Sequence, residues 1–462
     1  MNQQKTTDSE RLKNQAIVIG GSIAGMLAAR VLADSFENVI IIETDKLPDH
    51  ASIRKGVAQS VQPHVLFTKG YRILEELFPG ISTSLSAAGA ISIDWAKEFH
   101  YFNEGRWNAS NPDDSDIVSV TCSRPLIEWA IRQKLTQFSN VQFLEQHRVT
   151  GLVANSNQTA ITGVCLHSLV DKTSTSMPAS LVVDAAGRRS NAPQWLKTLG
   201  FTPPSETVIN PFLGYATRRY RQPEGFASDW KVLLISQQPP SNTRLGYLAK
   251  IENGEWIATL GGYGHDFPPT DEAGFLEYAS TLSSPQFYEA IKNAQPVSSI
   301  YAHRATANRM RHYEKIKLPF GFVALGDAVC ALCPVYGQGM TVSALSAIVL
   351  QDWLKTSQNS KTLALGDPAS FQKNLAKSNQ LHWMIATSQD SRFPTTAGRN
   401  EPGKLGKVLG WYMQQLQIMA SEQSSIQTMF MEIAHLLKSP IALYHPKLVL
   451  RVLARSLTSV KD

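Results

Sequence analysis

The stretch AIVIGGSIAGMLAARVLADSFENVIIIETD, Ala16–Asp45, decides the fold. An apolar run ends on a glycine turn, an amphipathic helix follows, and a second apolar run closes on an acid. That order within about 30 residues is a βαβ unit, because parallel strands need a crossover helix between them. The turn reads Gly20, Gly21, Ser22, Ile23, Ala24, Gly25, a G-x-G-x-x-G fingerprint with Ser22 at the middle glycine. Gly20 allows the tight turn, Ser22 is small enough to admit a pyrophosphate, and Gly25 lets helix and strand pack closely. Glu43 ends the second strand, where an acid can hold the hydroxyls of an adenosine ribose.

A second stretch, GDAVCALCPVYGQGMTVSALSA from Gly326 to Ala347, has the same character. A strand ends on Asp327, and glycines at Gly337 and Gly339 open a long apolar helix. Bare backbone amides at such a start attract negative charge. Between these stretches, SRPLIEWAIRQKL is expected to be helical. Ser123 caps it, Pro125 lies in its first turn, and Leu126, Ile127, Ala130, Ile131 and Leu135 form one face. Arg124 is expected just before that helix, free to reach a ligand. LVVDAAGRRS, Leu181–Ser190, is a buried strand running into a turn at Gly187.

From about Val208 to Gly264 the pattern changes to period-two alternation, with Asn253-Gly254 as a hairpin signal. GGYGHDF, Gly261–Phe267, opens no helix and reads as a turn at a sheet edge. The last hundred residues are helical. Leu405, Leu409, Tyr412, Leu416 and Met419 form a stripe flanked by basic residues. Such a stripe packs on the core or lies on a membrane, and core packing is the expectation.

The resulting fold is α/β: a Rossmann-like dinucleotide lobe, an inserted antiparallel sheet and a helical C-terminal region. The expected limits are 14–200 with 301–355 for the first, 201–300 for the second and 356–462 for the third. Part of 85–120 is expected to join the sheet lobe.

Composition sets the outer bounds. The chain has 462 residues, 43% of them hydrophobic, enough for a large core in more than one lobe. The polar start, MNQQKTTDSERLKNQ, has no signal-like apolar core, so a cytoplasmic protein is expected. The net charge is +6, and from Gly403 onward seven Lys/Arg face three acids. These basic residues alternate with apolar ones and form no recognisable nucleic-acid module, so no nucleic-acid partner is expected. Four cysteines make no disulfide framework, and Cys330 and Cys333 lack a second pair to complete a metal site. They read as small loop filler; no metal is expected.

Taken together, RKGVAQSVQPH (Arg54–His64), SRPLIEW, DAAGRRS, YATRRY (Tyr215–Tyr220), GDAVCALCPVYGQGM and WMIATSQDSRFP (Trp383–Pro394) resemble the FAD-dependent monooxygenases of the para-hydroxybenzoate hydroxylase fold. Within them, the flavin epoxidases of polyether antibiotic biosynthesis are the nearest resemblance. Ala58 stands where those relatives usually have proline, and Gln62 where they often have histidine.

The resemblance implies that Asp327 holds the ribityl hydroxyls of FAD. Pro334 shapes the loop, and Gly337, Gln338, Gly339 and Met340 set a helix start against the flavin's pyrimidine edge. Gly20, Ser22, Ile23, Ala24, Gly25, Glu43, Gly187 and Gly326 complete the cofactor set, with Arg54 and Arg124 as flavin or phosphate contacts. NADPH or NADH would bind transiently as reductant. The implied reaction runs through a flavin C4a-hydroperoxide and places one oxygen atom of O2 on a lipophilic substrate. Epoxidation of an alkene is slightly preferred over aromatic hydroxylation, because the sequence shows no dedicated base. No catalytic side chain is named. Tyr215 and Arg218 are candidate substrate contacts, but alternation puts them on opposite faces of their strand. A reductase of polyprenyl chains and a non-catalytic flavin-bound carrier are the alternatives. A halogenase is less favoured, since no W-x-W-x-I-P element occurs.

Overall fold

The computed structural model describes residues 15–358, 366–399, 401 and 403–458. At its centre is a parallel sheet of five strands, in the order Phe322–Ala324, Leu181–Asp184, Gln15–Ile19, Asn38–Ile42 and Val141–Leu144. Ile17 lies opposite Val182 on one side and Ile40 on the other. Ala16, Ile17 and Val18 are fully buried, as a parallel strand covered on both faces requires. Helices Ile23–Ala33 and Gly339–Gln358 pack together over this sheet. The two glycine-rich stretches therefore share one end of one lobe.

A second sheet of seven strands lies beside it. Its order is Tyr301–His303, Gly214–Arg221, Glu255–Gly262, Arg244–Ile251, Val232–Ile235, Phe99–Asn103 and Arg106–Trp107. All pairs are antiparallel except Val232–Ile235 with Phe99–Asn103. Asn253 and Gly254 carry the hairpin turn at positive φ, +63° and +65°. The sheet's outer face, with Ala216, Tyr220, Trp256, Ala258 and Leu260, is sealed by Phe275 and Phe287. Those two side chains come from the short helices Glu272–Ser280 and Gln286–Ile291. The inner face turns towards the parallel-sheet lobe through Thr217, whose hydroxyl bonds Gln62.

The limits differ from those expected in three places. Strand Tyr301–His303 belongs to the inserted sheet, one element beyond 300. Strand Glu206–Ile209 leaves that sheet and pairs with Asn308–Arg311, which in turn pairs with Cys330–Ala331. Helix Pro368–Asp390 is part of the first lobe, since Gln372 bonds the Ala324 carbonyl at the end of the parallel sheet. Local sequence pattern identifies an element but not the neighbour it will pair with, and these three boundaries depend on the neighbour. From the 85–120 stretch, Phe99–Asn103 and Arg106–Trp107 join the inserted sheet.

Helices Lys404–Glu422, Ser424–Ala434 and Pro446–Thr458 share a core of their own around Tyr412, Leu416, Met419, Ile426 and Val452. The expectation that the whole stripe packs is corrected here. Its second half is buried, but Leu405 is 72% exposed, and Val408, Leu409 and Trp411 are exposed beside it. The first two turns of that helix extend beyond the helices it packs on.

Candidate functional site

The fingerprint turn is held by contacts that only glycine permits. Gly20 has φ +102°, and a Cβ there would meet the Ala185 carbonyl oxygen at 2.7 Å. A Cβ on Gly25 would lie 1.8 Å from the Gly20 oxygen. Gly326, at φ +61°, brings the second stretch so close that a Cβ would sit 2.8 Å from that of Ala24. Ile23 is buried in the core and holds the helix start in place.

Glu43 ends its strand beneath this turn. Its carboxylate accepts from the Gly21 amide at 3.0 Å and the Asp45 amide at 3.0 Å. It also pairs with Arg54 at 2.6 Å. Burial pushes the Glu43 carboxyl up, but Arg54 and the two amides outweigh it, and the net shift is downward. Arg54 also pairs with Asp45 at 3.3 Å and with Glu128. Three carboxylates and the Gly21 carbonyl thus engage Arg54 beneath the fingerprint turn.

Glu128 is the residue that sequence reasoning missed. It lies on the buried face of helix Arg124–Leu135, among apolar neighbours that made it look like an interruption. Arg124 is the first residue of that helix rather than the residue before it, and Ser123 caps the helix through the Leu126 amide. Arg124 donates to Ser22 at 2.8 Å and to Glu128 at 3.4 Å. Burial lowers its pKa, with Glu128 pulling the other way.

Asp327 sits in the turn Gly326–Ala328, with Arg188 at 3.8 Å. Burial raises its pKa against the attraction of Arg188 and Arg124. Gly187, at φ +75°, starts the turn that delivers Arg188, a second residue missed by sequence because it reads as one of two surface arginines. Pro334 opens the turn Pro334–Tyr336, and Gly337 leaves it at φ +65°. Gly339 has open space where a Cβ would be, at the first turn of helix Gly339–Gln358. Met340 turns its side chain into the core, so only its backbone is available to a ligand.

The two candidate substrate residues separate as alternation requires. Tyr215 is on the inner face, its ring stacked on His303 at 6.5 Å and its hydroxyl meeting only the Cys333 thiol. Arg218 is on the outer face, bonded to the Ser298 carbonyl at 3.1 Å and paired with Glu272 at 3.5 Å. Arg218 also lines the edge of the cavity described below.

Around Tyr215 the structure adds Gln62, His64 and His303. The Gln62 side chain accepts from Thr217 at 2.5 Å, and its backbone carbonyl meets His64 Nδ1 at 2.9 Å. Burial and the nearby Arg124 push the His64 imidazole down to about 3, and burial also lowers that of His303. Both rings are neutral at ordinary pH. A cavity of about 360 Å3 opens between the inner face and the start of helix Arg124–Leu135, lined by Thr217, Ile257, Tyr301, Ser123, Pro125 and Leu126, among others. That volume falls within the range of small-molecule pockets. Among the described residues no cluster could hold a metal ion.

The site keeps buried polar atoms without a hydrogen-bond partner, Arg124 Nε, Gln338 Oε1 and His303 Nε2, while Arg188 Nε has only its 3.8 Å ion pair with Asp327 and Tyr215 Oη only the Cys333 thiol. Buried polar groups are ordinarily satisfied, so their convergence marks a place built for a polar ligand. Two arginines and two helix starts suit a phosphate-bearing one.

No established family profile matches the chain. It is 32% identical over 388 residues to Protein Rv3254 of Mycobacterium tuberculosis, covering 82% of this chain and 81% of that one. The chain belongs to the family of Protein Rv3254. More distantly, it is 25% identical over 399 residues to squalene epoxidase 2, mitochondrial, of Arabidopsis thaliana, spanning 83% of this chain but 61% of the plant protein.

Among solved structures, a flavoprotein/dehydrogenase of Cytophaga hutchinsonii superposes with TM-score 0.66 at 14% identity, over 97% of this chain and all of that one. The probable FAD-dependent monooxygenase PqsL of Pseudomonas aeruginosa gives 0.61 at 15%, over 82% and 96%. The myxobacterial chondrochloren halogenase CndH gives 0.62 at 14%, over 92% and 98%. The Rv3254 family member described here thus has the fold of flavin-dependent monooxygenases and halogenases.

Proposed function

We propose that this chain is an FAD-dependent monooxygenase that uses O2 and NADH or NADPH to epoxidise or hydroxylate a lipophilic small molecule, such as a polyene, prenylated or aromatic metabolite. The observation that carries this reading is the meeting of Asp327 with Arg188, the open helix start at Gly339 and the unmatched Arg124 and Gln338 atoms beside the sheet's inner face. When bound and reduced, FAD would supply the electrons that activate O2. The chain's own residues hold and shield. The Gly20–Gly25 turn and Arg124 would take the pyrophosphate, Glu43 the ribose and Asp327 the ribityl chain. The start of helix Gly339–Gln358 would place about half a positive charge by the flavin's pyrimidine edge. Tyr215, Thr217 and the neutral His64 and His303 would close the substrate side, where excluding water matters most.

Epoxidation is favoured over phenol hydroxylation by the distant likeness to a squalene epoxidase. It is favoured also by His64, whose depressed pKa makes it a poor base. Substrate-dependent oxygen uptake by the purified flavoprotein with NADH or NADPH tests the reading. A saturated product formed equally well without oxygen would move the chain to the reductase class. Flavin retention with no turnover of any lipophile would leave only a carrier.

The same reading extends to the C-terminal helices. Leu405, Val408, Trp411, Ile441 and Leu450 are exposed on them, with Lys404, Lys407 and Lys447 exposed alongside. Lysines among exposed apolar side chains complement an anionic bilayer surface, from which a lipophilic substrate could be drawn. Among the described residues no helix is long and apolar enough to cross a membrane. Flotation with phosphatidylserine-containing liposomes should carry the protein upward, and Leu405→Ser with Trp411→Ser should release it. Flotation unchanged by both substitutions would reject the surface.

A further inference from the structure

The segment Trp383–Pro394 has so far been given no task, yet it contains an unusual acid. Asp390 closes helix Pro368–Asp390 and is fully buried. No cation pairs with it among the described residues. Arg392, two residues on, bonds Gln389 and Glu104 instead. Everything facing the carboxylate is neutral: the Tyr336 hydroxyl at 2.5 Å and the Tyr263 hydroxyl at 3.3 Å on Oδ1, and the Asn308 amide at 2.6 Å on Oδ2. Cys333 lies nearby, its thiol pushed well up by burial, with Tyr215 beside it.

The hydrogen-bond polarity of this cluster is fixed on its Asn308 side. The Cys333 backbone N–H donates to Asn308 Oδ1 at 2.7 Å, which turns the Asn308 NH2 group towards Asp390. Asp390 therefore accepts on Oδ2, and with both tyrosine hydroxyls donating to Oδ1 it accepts on both oxygens, as an ionised carboxylate does. The two ends of the wire hold the same piece of chain, Cys333 through its amide and Tyr336 through its ring. That piece is the turn that leads through Gly337 into helix Gly339–Gln358.

We propose that Asp390 is the positioning residue of the cofactor seat: as an anion wired through Asn308 and Tyr336, it sets the path of the 333–337 turn and so the aim of the amides that start helix Gly339–Gln358. The wiring stands on the geometry alone; its consequence for FAD rests on the function proposed above. Burial raises the Asp390 carboxyl to about 6, with the tyrosine and asparagine donors holding it from going further. Protonation below that pH removes an acceptor and acts like a mild Asp390→Asn change.

The test is an exchange of chemistry between two positions. Asp390→Asn sets an NH2 group against the Asn308 amide or withdraws the acceptor from both tyrosines. Asn308→Asp sets two carboxylates face to face. Made together, the two substitutions restore the donors and acceptors between Cys333, position 308, position 390 and the tyrosines with the charge moved to position 308, and give up only the long contact of position 308 with the Ile209 carbonyl at 3.5 Å. Hydrogen exchange over residues 333–340 of the full-length protein should rise about tenfold or more in each single variant, as expected for loss of a hydrogen bond to a charged group, and return towards wild type in the double. FAD dissociation should follow the same order. The visible circular dichroism of the wild-type flavoprotein should titrate near pH 6, and the Asp390→Asn variant should lose that transition.

If a single variant fails to fold, a folded double variant is itself the rescue. Exchange unchanged in Asp390→Asn, or a double variant no better than the singles, would overturn the proposal. So would altered exchange with FAD retention unmoved. A wild-type protein that binds no FAD would instead defeat the functional reading, while the exchange measurements would still decide the wiring.

Discussion

The two faces of the seven-stranded sheet are made from the same strands and alternate residues, yet they are built for different purposes. The outer face carries Trp256, Tyr220, Ala258 and Leu260 in an apolar core sealed by Phe275 and Phe287 of the covering helices. The inner face carries Tyr215, Thr217, Thr259 and Gly261, with a cavity alongside. One face spends its side chains on stability, and the other keeps them for a ligand. A substitution should therefore show its effect in stability on one face and in binding or turnover on the other.

The largest effect is expected at the outer face. Trp256→Ala empties the centre of that core and should cost about 3–5 kcal/mol in denaturant unfolding. A smaller loss would mean that the helices covering this face can collapse into the gap. Next comes the cofactor seat opposite the inner face. Asp327→Ala should weaken FAD binding by about 1.5–3 kcal/mol, a loss measurable by flavin release, with the fold intact. Full flavin occupancy after that change would mean that the ribityl chain lies elsewhere.

Acid comes third. His382 and His435 are buried and His64 is half-buried beside Arg124, and their pKa values are pushed down to about 4, 3 and 3. The unfolded chain takes up their protons below about pH 6.5 while the folded chain does not, so each costs about 1.4 kcal/mol per pH unit as pH falls from there. Asp390 opposes this, since its raised pKa lets the folded state bind a proton first below about 6. Stability should thus fall between pH 6.5 and 5, and more steeply in the Asp390→Asn variant, which lacks the opposing group. A flat profile in urea titrations would contradict the burial of these imidazoles.

The smallest effects separate the neighbouring pair. Arg218→Gln should cost about 1 kcal/mol of stability and leave kinetics alone, because its ion pair with Glu272 is largely exposed. Tyr215→Phe removes a hydroxyl that meets only the Cys333 thiol and should shift stability by less than about 0.5 kcal/mol, yet change KM or turnover. The reverse pattern would exchange the two faces.

This pair also shows how far the sequence could be read. Period-two alternation separates Tyr215 from Arg218, but it cannot say which of them faces the site; that depends on where two helices some fifty residues later come to rest. The βαβ unit, the capped helix at Ser123 and the Asn253-Gly254 turn were legible because each is decided by neighbours in the chain. Glu128, Arg188 and Asp390 were not, because each has its meaning only through distant partners. Glu128 meets Arg54 across 74 positions, and Asp390 meets Tyr336 across 54. The partners of Arg54 were hidden for the same reason: a buried arginine shows its charge in the sequence but not the carboxylates that engage it. The tail was half legible, since its helical period was plain while the point where packing ends was set by the length of the helices beside it.

Turnover under 18O2 tests the central claim most directly. With FAD bound, NADH or NADPH supplied and a lipophilic alkene or phenol as acceptor, the product should carry one labelled oxygen atom, on a former double bond or an aromatic ring. A product without label, or a saturated product formed at the same rate in the absence of oxygen, would contradict it.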